Sequence, residues 1–133
     1  MTTGWVYADG TSCAPPIIKA APPVDAASCP QWVAFHSFRS GNLQIFRLDG
    51  VENAGGTNLI NLSKSSSMDS RPTRSPDDQW VVFQSNRNGN IELYITDNQG
   101  TTQTQLTDTN ANNINAMFSA DSKTVVYQSD RNG

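Results

Sequence analysis

The sequence predicts an all-β chain of β-propeller blades, each of four antiparallel strands, with about three blade equivalents in 133 residues. Three observations predict it. Charge is sparse and turn formers are common: 16% of residues are charged, 36% are hydrophobic, and nine glycines and seven prolines are scattered among many Asn, Ser and Thr. Short runs alternate β-branched or aromatic residues with polar ones and end in turn signals. These runs recur in a constant order with a period near 44 residues.

The plainest repeat is a turn. HSFRSGN (36–42) returns as QSNRNGN (84–90) and as QSDRNG (128–133). Ahead of the copies stand WVAFHS (32–37), WVVFQS (80–85) and TVVYQS (124–129), with Phe35 matching Phe83 at an offset of 48 and Phe83 matching Tyr127 at an offset of 44. Their alternation is that of a strand, the second (B) of each blade. After the first two turns, LQIFRLDG (43–50) and IELYITDN (91–98) supply a third strand (C). GTNLINLS (56–63) and GTTQTQLT (100–107) supply a fourth (D). The four extra residues of the first repeat fall in GVENAGG (50–56), a hairpin tip, where added length costs little closure entropy. DSRPTRSPDD (69–78) and NINAMFSADS (113–122) supply first strands (A).

The expected strands are B 32–37, C 43–48 and D 58–62 in the first blade. The second blade has A 71–75, B 80–85, C 91–96 and D 103–107, and the third has A 114–118 and B 124–129. The first blade's A strand falls in IIKAAPPVDAASC (17–29). The chain thus divides into an irregular segment, 1–30, and repeats at 31–63, 69–107 and 113–133, the last incomplete. WVYADGT (5–11) reads like a C strand with its turn, so a strand at 4–8 would complete an unfinished blade, with PPIIK (15–19) as its D strand. A propeller typically needs four to eight blades. Two chains exchanging these terminal strands would make a six-bladed ring, whereas a longer polypeptide would close its ring with further blades of its own.

Charge excludes some partners. A net charge of −3 and a pI near 4.8 argue against nucleic acid and against an anionic membrane surface. No apolar run approaches the roughly 18 residues of a membrane span, and no basic-then-apolar leader follows Met1. Cys13 and Cys29 are too few for a four-ligand zinc site. They are either two free thiols or one disulfide tying down the Pro-rich segment. The bond would contribute about 3 kcal/mol through the unfolded chain and would favour an extracytoplasmic, periplasmic or secreted setting.

Candidate functional residues divide into those that repeat and those that do not. Asp77 and Asp121 match each other in the A–B turn, and Asp49 and Asp97 match at the C–D turn. Asp at such places bonds its own backbone, and a position used in every blade reads as structural. Arg39, Arg87 and Arg131 share one place in the B–C turn, beside Gly41, Gly89 and Gly133. Each Arg is expected to tie its turn to a neighbouring blade, with a guanidinium ring for anions as the alternative. Trp32 and Trp80 share a slot and are expected in the core. His36, the only histidine, stands where Gln84 and Gln128 stand, so it is expected to be structural rather than catalytic or metal-binding. DTNANN (108–113) begins like a calcium loop but lacks its Gly at the sixth place and its Glu at the twelfth, and is expected to be a D-to-A connection. No nucleophile elbow and no cofactor site is visible.

SPDDQWVVFQSNRNGNIELYITD with QLT, and SADSKTVVYQSDRNG, resemble the TolB-type propeller repeat. The resemblance covers roughly residues 31–133. It departs where the family has Gly after Ser-Pro-Asp, since Asp78 and Ser122 stand there, and in the first blade, which has SCPQ for the Ser-Pro-Asp turn and Phe38 for Asn86. It implies a non-enzymatic scaffold or protein-interaction module, acting through protein partners or self-association at unpaired terminal strands. Such blades also occur as the propeller of prolyl-oligopeptidase-type peptidases or polysaccharide lyases, and a carbohydrate-binding module is a further alternative.

Overall fold

The computed structural model describes residues 31–50 and 56–132. Nine strands and no helix occupy them: β1 Trp32–Ser37, β2 Gln44–Asp49, β3 Asn58–Asn61, β4 Asp69–Arg74, β5 Trp80–Asn88, β6 Asn90–Asp97, β7 Gln103–Gln105, β8 Asn113–Phe118 and β9 Val125–Ser129. They form three antiparallel sheets in chain order, β1-β2-β3, β4-β5-β6-β7 and β8-β9. These are the blades that the repeat predicts, and each strand end lies within three residues of its expected place.

Register follows the aromatic repeat. Phe35 pairs with Phe46 across the first B–C hairpin, and Phe83 with Tyr94 across the second. In each pair the ring centroids lie 6.0 Å apart. Strand β5 runs further than β1 because Asn88 donates from Nδ2 to the Tyr94 hydroxyl and to Gln105 Oε1, holding the hairpin paired to its tip. The matching residue in the first blade is Ser40, which is too short to do this.

Both A strands carry a bulge. Arg71 and Pro72 stand opposite Phe83 alone, and Asn115 and Ala116 opposite Tyr127 alone. Arg71 and Asn115 take left-handed backbone angles, φ +50° and +56°. An extra residue of this kind bends a strand and re-aims a side chain, and a bulge is one of the few places in a sheet that accepts proline.

The core lies between blades rather than within one. Trp32, Ile45 and Leu62 of the first blade pack against Val81, Phe83 and Tyr94 of the second. A smaller cluster joins the second blade to the third through Val82, Leu93 and Ala116, with Phe118 and Val125 at its margin.

Candidate functional site

The recurrent B–C turn is a clamp closed on its own blade. Arg87 Nε donates to Ser85 Oγ at 2.9 Å, Nη1 to Gln103 Oε1 and Nη2 to Asp69 Oδ1, each at 3.2 Å. Its guanidinium lies 4.2 Å from the centroid of the Tyr94 ring. Burial raises the Tyr94 pKa, and the Arg87 charge partly opposes this. In the first blade Arg39 meets Ser37 in the same way and stacks over Phe35 and Phe46. In the third, Arg131 reaches Ser129 and the Tyr127 hydroxyl. The neighbouring blade expected from sequence is not the partner: the side chain folds back over its own hairpin, where the paired aromatics offer a π face. Gly41 and Gly89 take φ of +96° and +100°, which L side chains rarely adopt. Gly133 lies outside the described residues, as do Cys13, Cys29, the segment at 4–8 and most of GVENAGG.

The A–B turns repeat as closely. Asp77 Oδ1 accepts the Ser75 hydroxyl and the Gln79 amide, and Asp121 Oδ1 accepts the Ser119 hydroxyl and the Lys123 amide. These bonds hold both carboxyls below their ordinary range. Asp78 and Ser122, where the family has Gly, sit at φ +63° and +61°, so the turn keeps the glycine conformation without the glycine. At the C–D turn, burial pushes Asp97 up, but the Thr101 and Thr102 hydroxyls with the Thr101 and Gln99 amides hold it well below the usual carboxylate range.

The loop DTNANN wraps a carboxylate. Glu92, 2% exposed, accepts the Thr109 amide and Asn113 Nδ2 at 2.8 Å each, and the hydroxyls of Thr107 and Thr109. Burial raises its pKa, but these bonds together outweigh that and lower it. Among the described residues no group of three His, Cys, Asp or Glu is placed to hold a metal ion, and no helix is long and apolar enough to cross a membrane.

One surface stands apart. The flank of the second blade that faces the third repeats the flank of the first position for position, yet it is partly open. Trp32 is 5% exposed and Trp80, its match, 39%. Leu62 is fully buried and Leu106 is 42% exposed; Phe83 is fully buried and Tyr127 is 40% exposed. The expectation of core packing therefore holds for Trp32 and not for Trp80. The difference is one strand: β6 covers the first flank with Tyr94, whereas the third sheet has two strands among the described residues. A cavity of about 350 Å3 results, lined by Trp80, Ile95, Leu106, Phe118, Val125 and Tyr127 among others.

Its chemistry differs too. Trp32 is stacked by two guanidinium groups, Arg47 at 4.7 Å and Arg74 at 5.0 Å from the ring. Ile95 and Phe118 occupy the matching positions at the second junction. Neither residue was among those singled out from sequence; the signal for them is the change from Arg to an apolar residue at a fixed offset.

Three sheets that hold B–C–D, A–B–C–D and A–B of one repeated order, packed face to face, define the chain as β-propeller blades. A family model, the TolB beta propeller domain, matches residues 30–133, and the chain belongs to that family. Among solved structures it is similar to a protein described as a TolB of Agrobacterium tumefaciens, at 21% identity and a TM-score of 0.64 over 73% of this chain and 34% of that one. It is also similar to TolB from Acinetobacter baumannii, at 20% identity and a TM-score of 0.60 over 90% of this chain and 29% of that one. The chain thus spans about a third of the length of these neighbours. No curated protein matches it.

Proposed function

We propose that the chain is a non-enzymatic propeller scaffold that engages protein, and that it does so by accepting an extended strand at the edge of β9. The observation that supports this reading is the second flank, where Trp80 and Leu106 are exposed among the described residues and their matches Trp32 and Leu62 are buried. The edge of β9, unpaired among the described residues, offers main-chain donors and acceptors to an incoming strand, and the adjoining apolar cavity takes its side chains. The occupant is the segment at 4–8 of a second copy. In WVYADGT, Val6 falls on the slot of Phe46 and Tyr94, and Asp9 on the slot of Asp49 and Asp97. The non-enzymatic part is supported by the use of the carboxylates: Asp77, Asp97, Asp121 and Glu92 are each engaged by hydroxyls and amides close by. Asp130 is likewise held by the Asn112 amide and side chain.

The native mass of the chain tests the reading. Sedimentation is expected to give twice the 14.4 kDa of one chain, falling to a folded monomer when residues 1–10 are removed. A stable folded monomer from the intact chain would sink self-association. An extracytoplasmic setting accompanies the proposal, supported by Cys13 and Cys29 read as a disulfide. The unfolded, unreduced chain should then titrate no free thiol, and two thiols would remove that support.

A further inference from the structure

A repeat supplies its own test for function: positions that recur serve the fold, and departures need another reason. Two departures meet in space. His36 replaces the Gln of the other two blades, and Arg71 replaces Asn115. The Arg71 amide donates to His36 Nδ1 at 3.2 Å, across the junction of the first two blades. Arg71 Nη1 donates to Asn115 Oδ1, and Asn115 Nδ2 donates to Gln128 Oε1 at 2.8 Å. All four side chains are exposed, and they link the three blades in one line. The bulge in β4 presents Arg71 from a left-handed backbone position, an arrangement that occurs often beside binding sites.

The donors here are not used up. Among the described residues Arg71 has no carboxylate within 4.0 Å, whereas Arg47, Arg74 and Arg87 each have one. Its Nε and Nη2 have no hydrogen-bond partner among those residues. Neutral His36, accepting at Nδ1, carries its proton on Nε2, which likewise has no partner there. The fork of one guanidinium edge fits a carboxylate side-on through two parallel bonds, and an imidazole N–H supplies a third donor. One fixed positive charge matches one carboxylate group of a ligand.

We propose that His36 and Arg71, joined across the first blade junction, form a binding site for a carboxylate. It is independent of the strand-accepting edge of β9. The carboxylate belongs either to a small organic acid or to the C-terminus of a peptide, and the experiment separates the two. The 15N-labelled full chain is titrated at constant ionic strength with sodium succinate, with a short uncharged-side-chain peptide ending in a free carboxylate, and with the same peptide amidated. Amide shifts should concentrate at His36, Arg71 and Asn115 with succinate or the free-acid peptide, and the amidated peptide should leave them unmoved. Arg71→Asn should weaken binding about tenfold or more, and His36→Gln about threefold. Both variants install the residue that the repeat itself uses, so the fold is retained, and the wild-type shifts need no variant at all. Response to the peptide alone assigns a protein terminus, and response to succinate a small acid. No localised shift with either acid, or equal affinity in Arg71→Asn, would overturn the site.

Discussion

At the first blade junction a tryptophan is sealed between two arginines and covered by a four-stranded sheet. At the second, the matching tryptophan shares a cavity wall with an isoleucine and a phenylalanine. The backbone frame is the same, the B-strand residues are nearly the same, and the exposure of matched side chains differs several-fold. Val82 and Leu93 are buried at the second junction by two strands alone, whereas the tryptophan and the D-strand leucine of a flank are buried only where the next blade brings its C strand. The hydrophobic pattern of one blade is therefore a request for its neighbour, and the two junctions answer it with different chemistry, arginines at the first and apolar residues at the second.

The largest effect that separates the junctions is on stability. Trp32→Ala should destabilise by about 4 kcal/mol, as a large buried side chain leaves a cavity. In the chain without residues 1–10, where no second copy covers the flank, Trp80→Ala should cost about 1 kcal/mol, since much of the ring then faces solvent. Chemical denaturation of the two variants measures both, and equal losses would break the comparison.

Next comes the clamp. Arg87→Ala leaves the fully buried Asp69 without its cation and should cost about 3 kcal/mol. Arg131→Ala, on the exposed third blade, should cost under about 0.5 kcal/mol by the same assay.

The carboxylate of the second junction follows. Asp69 has an arginine, whereas Glu92 relies on hydroxyls and amides alone. Glu92→Gln should cost about 1.5 kcal/mol near neutral pH. The folded pKa of Glu92 lies below its ordinary 4.5. Its contribution is therefore fully present above that pH and is lost as pH falls through the folded value. A melting series in acid should show a shallower decline in the variant than in the wild type, and parallel curves would remove the linkage.

The smallest effect sharpens the contrast by being equal. Gly41 and Gly89 are both left-handed and both open, with nothing within 4 Å of an added Cβ. Alanine at either should cost about 1 kcal/mol from backbone strain alone. Equal losses would show that the hairpins are equivalent while the flanks they carry are not.

The blades were legible because their signals are local. Alternation, an aromatic in each B strand and a Gly-containing turn need no knowledge of neighbours, and the strand ends follow from them. The bulges were not legible, since two residues opposing one is a property of the pairing. Arg87 was legible as a turn residue, but its partner was not: Asp69 lies 18 residues earlier and is brought beside it only when β4 pairs with β5. The open flank was legible least. Trp32 and Trp80 look alike in sequence, and only packing separates them.

Amide hydrogen exchange along Val125–Ser129 in the intact chain reads directly whether the edge of β9 takes a strand as proposed. The amides of β9 that do not face β8 should be protected, and should lose that protection when residues 1–10 are removed. Fast exchange at those amides in the intact chain, matching the truncated one, would contradict the proposal.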